Sequence, residues 1–262
     1  MNHSNTLIHP TAVIEPGAKL GENVSVGPFS YIGNDVEIGD GTIIESHVVV
    51  KGPTTIGKDN HIFQYASMGE ACQDKKYDGE PTQLIIGDNN VFRECVTIHR
   101  GTIQDLGKTI IGSDNLFMAY THVAHDCVVG NHNIMANNAS IAGHVHVGDW
   151  CILAGFSGVH QFVHVGSHSF CSISAVVVKD VPPYVMASGQ SAQPRGINTE
   201  GLKRRGFSKE AITAIRRAYK TIYRSELTVD EALSQLAQAS ADVPEVKLMT
   251  DFIANSSRGI IR

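Results

Sequence analysis

The sequence lacks several features that would place it quickly. No apolar run approaches the ~20 residues a membrane span needs, and the polar start, MNHSNT, lacks the order of a signal peptide. Cysteine occurs five times, at 72, 95, 127, 151 and 171, an odd number, widely spaced and without a CxxC pair. That argues against a cysteine metal site and a disulfide framework, and reads as reduced thiols in a cytoplasmic protein. The first 190 residues are poor in positive charge, with 9 Lys/Arg against 18 Asp/Glu, whereas the last 72 hold 12 against 8. A basic tail on an acidic body suits either an anionic partner or a solvated helical face. Nothing points to nucleic acid.

What is abundant is a six-residue rhythm. From Ile8, every sixth residue is aliphatic through Ile14, Leu20, Val26, Ile32, Ile38, Ile44, Val50, Ile56 and Ile62 to Met68. The phase returns after residues 71–82, at Ile86, Phe92 and Ile98, and restarts one residue late after 102–109. It then runs from Ile111 to Val177. Neither a helical period of 3.6 nor a strand alternation of 2 generates this; a hexapeptide parallel β-helix does. Three hexads make a triangular coil of 18 residues, stacked on the next by parallel hydrogen bonds. The aliphatic residue points inward, with small residues and glycine at the corners. The two interruptions are expected to leave the prism as loops. Pro182 and Pro183 in DVPPY are expected to end strand pairing.

The texture then becomes helical. Ser208 can cap KEAITAIRRAYKTIYR, Thr228 with Glu231 forms a capping box, and Pro244 opens a last helix. Ile212, Ile215, Tyr219 and Ile222 follow helical spacing and read as core. The expected organisation is a mainly β parallel β-helix over 1–190 with loops near 71–82 and 102–109, then a C-terminal α-helical domain over 191–262.

Eight of the 13 histidines lie between residues 122 and 168. Most corner histidines are simply solvated, and His132, His146, His164 and His168 are read that way. His125 differs. Asp126 adjoins it, and residues 18 apart lie about 4.8 Å apart along the axis, which puts Gly143 beside it. A carboxylate can fix an imidazole in one tautomer, and a backbone N–H can meet an oxyanion. Base, orienting carboxylate and amide suit acyl transfer to a hydroxyl. His125, His144 and His160 are all expected at or near corners, facing outward. No serine or cysteine stands as a nucleophile, Ser140 reading as a polar turn, so direct attack by the substrate hydroxyl is preferred to an acyl-enzyme.

HRGT, AHDCVVGN, ANNASIAGHV, VHQF, DVPPYV and NTEGLKRRGFS together resemble the UDP-N-acetylglucosamine O-acyltransferases that begin lipid A synthesis. The likeness runs from IHPTA to SSRGIIR, and QDKKYDGEPT and GLKRRGF separate it from other hexapeptide acyltransferases. The resemblance implies a left-handed winding and a homotrimer with active sites between neighbouring prisms. It implies transfer of a (R)-3-hydroxyacyl group from acyl carrier protein to the 3-OH of UDP-N-acetylglucosamine, with no metal and no cofactor beyond the donor's phosphopantetheine. His125 is then the general base, Asp126 its holder and Gly143 N–H the oxyanion donor. His122, His144, His160 and Gln161 line the site, and Gln73, Asp74 and Lys76 reach over it. Asn198, Glu200, Arg204 and Arg205 meet substrate or carrier, and His99 adds basic character near the cleft.

One departure concerns chain length. Ile173 stands where some members have glycine at the floor of the acyl groove. It lies 48 residues, roughly 13 Å of axis, from His125. At roughly 1.25 Å per carbon, that leaves room for about ten carbons, shorter than the fourteen some members use. The rival readings are a hexapeptide acyltransferase with a coenzyme A donor or an amine acceptor, a trimeric β-helix zinc carbonic anhydrase, and a non-enzymatic β-helix scaffold. The anhydrase needs two histidines separated by four residues on one chain, whereas two separate His122 from His125; stoichiometric zinc would favour it. A scaffold would lack the irregular loops and basic tail.

Overall fold

The structure is a computed structural model, and it describes residues 7–262. Among the described residues, twenty-eight strands of two to five residues form three sheets, of eleven, nine and eight strands. As far as Val176–Val177, successive strands fall on successive walls, so each pairs in parallel with strands one winding away. The spacing is 18: Leu7 pairs with Ser25, and Ile134 with Ile152. Where the first loop departs the partners are 30 apart, as in His61 with Val91; where the second departs they are 25 apart, as in Val91 with Leu116. The loops therefore add 12 and 7 residues. Twelve is two whole hexads and keeps the phase, whereas seven shifts it by one. That is the late restart heard in the sequence.

The inward column on one wall runs Ile44, Ile62, Phe92, Phe117, Met135, Leu153 and Cys171, all buried. Phe92 and Phe117 stack at 4.9 Å between centroids. Burying each such side chain contributes about 1.5–3 kcal/mol. One corner is closed by a buried amide ladder: Asn60 Oδ1 accepts from Asn90 N–H at 2.9 Å, Asn90 Oδ1 from Asn115 N–H at 3.0 Å, and Asn115 Oδ1 from Asn133 N–H at 2.8 Å. Each amide satisfies the next turn's backbone where no strand partner exists.

Three expectations shift. The second loop occupies 100–107, because Lys108–Ile111 is already a strand on Gln83–Ile86, with Thr109 and Ile111 buried. The diproline does not end pairing: Val185–Ser188 adds in parallel to Phe170–Cys171. Pro182 and Pro183 lie in the bend before it. Residues expected at the start of the helical part form an antiparallel strand, Gln193–Ile197, on Val185–Ser188. Helices begin only at α1, Thr199–Arg204. Helix α2 (Lys209–Arg224) is capped by Ser208, α3 (Val229–Asp242) by the Thr228–Glu231 capping box, and α4 (Pro244–Ala254) opens on Pro244. Ile212, Ile215, Tyr219 and Ile222 are buried. The chain end returns to the prism, where Ser256 Oγ donates to Asp180 Oδ2 at 2.6 Å. No helix of the described residues is long and apolar enough to cross a membrane.

Candidate active site

Both loops leave the prism from one corner, the turn between the nine-stranded and the eight-stranded wall. His125 and Asp126 occupy that corner one winding above the second loop, Gly143 and His144 the next, and Gln161 and Phe162 the one after. The residues that turn it, Asp126, His144 and Phe162, have φ of 58°, 63° and 63°. This left-handed conformation is uncommon outside glycine, and asparagine, aspartate and histidine adopt it several times more readily than most.

At this corner Asp126 is covered by the second loop. It is fully buried, and its carboxylate accepts from Thr102 N–H at 2.9 and 3.0 Å and Thr102 Oγ at 2.7 Å. Its Oδ2 lies 2.9 Å from Nδ1 of His125. Burial pushes its acidity down, but the hydrogen bonds from His125 and Thr102 more than offset this, leaving its pKa below the ordinary 3.8. An ionised carboxylate only accepts, so Nδ1 of His125 carries the hydrogen and Nε2 keeps a free lone pair. His125 is recessed too, its side chain only 13% exposed. A Cβ on Gly143 would sit 2.5 Å from His125 Cε1 and 2.6 Å from Nε2. Glycine is therefore the residue that lets the imidazole lie against the next winding. Gly143 C=O accepts from Phe162 N–H.

A cavity of about 550 Å³ opens beside this corner along the nine-stranded wall. Gln73, Asp74, His99, His122, His125, Gly143 and His160 line it, with Val176 and Val178 at its apolar end. His122 Nδ1 lies 2.7 Å from Thr97 Oγ1, and burial, then the charge of His125, lower its pKa. His99 is buried, and its pKa is pulled down to about 4 by burial and then by His122. It is neutral at neutral pH, so the basic character expected of it is absent. Ser140 is not in a turn; it lies in a strand beside His122 and lines the cavity.

Other expected residues stand elsewhere. Lys76 is exposed on the first loop, where its N–H donates to Asp74 at 2.9 Å, and it does not line the cavity. Gln161 stands one winding above Gly143, exposed, beside His160. His144 lies behind His125, its ring edge-on at 4.9 Å and stacked on Phe162 at 4.2 Å. Asn198 caps α1 and Glu200 pairs with Lys203. Arg204 is exposed in the last turn of α1. Arg205 packs over Trp150 and lies 3.3 Å from His168 Nδ1, at a different corner. Within one chain these four do not meet His125. Two residues of the second loop escaped the sequence reading. Thr102 holds Asp126, and Asp105 Oδ2 lies 2.6 Å from His144 Nδ1. They stand 24 and 39 residues from their partners, so no local pattern marks them.

His125, Asp126 and His144 place possible ligand atoms within 4.8 Å of one another. Both Nδ1 atoms already face carboxylates, and Thr102 fills the lone pairs of Asp126. These residues form a hydrogen-bonded network rather than an open ligand shell.

Stacked hexapeptide coils with an imidazole–carboxylate pair at a corner, facing the next winding's backbone, define a hexapeptide-repeat transferase. Residues 3–34, 17–52 and 108–143 match the bacterial transferase hexapeptide family, and 180–261 match the family described as UDP-N-acetylglucosamine O-acyltransferase, domain 2. A Saccharophagus degradans protein, acyl-[acyl-carrier-protein]–UDP-N-acetylglucosamine O-acyltransferase, is 56% identical over 98% of this chain and all of its own. The structure of LpxA from Acinetobacter baumannii superposes with a TM-score of 0.96 at 52% identity, covering 98% of this chain and 100% of that one. The UDP-N-acetylglucosamine acyltransferase of Francisella novicida also gives 0.96, at 44% identity over 98% and 94%. The chain belongs to the UDP-N-acetylglucosamine O-acyltransferase family and is an acyltransferase.

Proposed function

We propose that this protein moves a (R)-3-hydroxyacyl group from the phosphopantetheine thioester of acyl carrier protein to the 3-OH of UDP-N-acetylglucosamine, the first step of lipid A synthesis. The observation that carries the mechanism is the 2.9 Å contact between His125 Nδ1 and the buried, ionised Asp126, which leaves Nε2 as the base. Nε2 takes the proton of the sugar hydroxyl as its oxygen bonds to the thioester carbon. The tetrahedral oxyanion accepts from Gly143 N–H. Its collapse breaks the C–S bond, and the imidazolium returns the proton to the leaving sulfur. Asp126 stabilises the imidazolium without taking its proton. No side-chain nucleophile is needed, and the phosphopantetheine belongs to the donor.

His122 and His160 bind the acceptor from within the cavity, and Gln73, Asp74 and Lys76 cover it from the first loop. The protein works as a cytoplasmic homotrimer. Phe29, Tyr65, Tyr120 and Phe156 project from one corner, each about 60% exposed, a ridge suited to burial between prisms. The trimer brings Asn198, Glu200, Arg204 and Arg205 to a neighbour's site. Ile173, 70% exposed, borders the same wall as His125, further along the axis, where it can end an acyl chain that runs along that wall. The axial separation corresponds to about ten carbons, and Ile173 stops the chain there.

An assay with UDP-N-acetylglucosamine and 3-hydroxyacyl carrier proteins of graded length tests the whole reading. The expected result is transfer, fastest near ten carbons and abolished in His125→Ala. No transfer from any donor rejects the function; a clear preference for fourteen carbons rejects only the role of Ile173.

A further inference from the structure

The second loop, residues 100–107, crosses the corner directly beneath His125 and makes two polar contacts there. Thr102 donates from N–H and Oγ to Asp126, which holds the base. Three residues further on, Asp105 Oδ2 meets Nδ1 of His144 at 2.6 Å. His144 is only 10% exposed and does not line the cavity. One ring face lies against Phe162, with planes 6° apart, while the ring of His125 stands perpendicular to it at 90°.

We infer that Asp105 is a positioning residue of the acyl transfer, acting through His144 on the imidazole of His125. The His125–Asp126 hydrogen bond fixes one point of the imidazole but leaves it free to pivot about that point. A second ring packed at right angles removes the pivot, provided it is itself fixed. Phe162 fixes the plane of His144 by stacking, and Asp105 fixes its rotation within that plane by taking the Nδ1 hydrogen. One loop thus holds the base from two sides, Thr102 through a carboxylate and Asp105 through a second imidazole. The base must be held because a displacement of about 1 Å at a reacting atom costs on the order of a hundredfold in rate.

This inference rests on His125 as the base, and its test separates the two. Acyl transfer is measured for the wild type, Asp105→Ala, His144→Ala and the double variant, with thermal melting of each. A crystal structure of Asp105→Ala reports the His125 ring. Loss of a charge-assisted hydrogen bond predicts kcat down about ten- to a hundredfold in Asp105→Ala, with KM for the acceptor unchanged. In the His144→Ala background the same substitution costs less than about twofold, because the route is already cut. Asp105→Asn, whose amide oxygen still accepts the Nδ1 hydrogen, recovers most of the rate. Three results overturn the inference: wild-type activity in Asp105→Ala, a full additional loss in the double variant, or an unmoved His125 ring beside a reduced rate. A wild-type enzyme without transfer, or an active His125→Ala, rejects the underlying mechanism instead.

Discussion

Replacing Gly143 by alanine adds one methyl group, and the structure says where it goes. The new Cβ would stand 2.5 Å from Cε1 and 2.6 Å from Nε2 of His125, where ordinary contacts begin at 3.4 Å. One of the two must move by about 0.9 Å. The glycine backbone is the stiffer partner, since Phe162 N–H donates to its carbonyl and His144 N–H beside it donates to His125 C=O. The imidazole yields, carrying Nε2 away from the attacking hydroxyl and straining the bond to Asp126. A shift of that size predicts a loss of about a hundredfold in kcat with little change in KM. Folding suffers too, because the ring is recessed between Asp126 and His144. Overpacking of about 1–3 kcal/mol lowers Tm by about 2–4 °C for each kcal/mol. Initial rates against UDP-N-acetylglucosamine at saturating donor, with a melt alongside, decide it. A kcat within threefold of wild type would show that the imidazole does not work against this winding.

Four further outcomes follow from the same geometry. Asp126→Asn keeps the shape but loses the ionised acceptor, and activity should fall by about 10²–10⁴-fold as the tautomer is no longer fixed. Because Asp126 has a lowered pKa in the fold, its stabilising effect is present above 3.8 and lost as pH falls through its folded value, so the variant's acid unfolding should lose that dependence. His99 behaves oppositely in charge. With a folded pKa of about 4 against 6.5, it favours folding fully above pH 6.5 and progressively less down to about 4, so His99→Gln should flatten the stability curve there by urea titration. A Cβ on Gly158 meets nothing within 4 Å in the cavity; Gly158→Val should lower turnover of long acyl donors more than short ones, read by donor competition.

The sequence carried the winding because each hexad is one complete unit, and a buried aliphatic every sixth residue leaves no other periodic solution. The same arithmetic paired His125 with Gly143, since lateral neighbours follow from the 18-residue winding. It fell short on exposure: His125 and His144 are expected to face outward, yet beside the second loop their side chains are only 13% and 10% exposed. It failed again where a contact crosses a loop: nothing local connects Thr102 to Asp126 or Asp105 to His144. The basic tail was read correctly in its helices and caps. Arg205, however, packs over Trp150 and lies beside His168 in its own chain, a packing that charge counts do not reveal. The strand at 193–197 was hidden by its glycine and proline, which mark an edge strand as readily as a linker.

The most direct test of the account is the rate of acyl transfer from 3-hydroxyacyl carrier protein to UDP-N-acetylglucosamine by His125→Ala, set against wild type with both shown to be folded. The account predicts a fall of at least about 10²-fold, the contribution of a general base. Transfer by the variant at a rate comparable to wild type would contradict it.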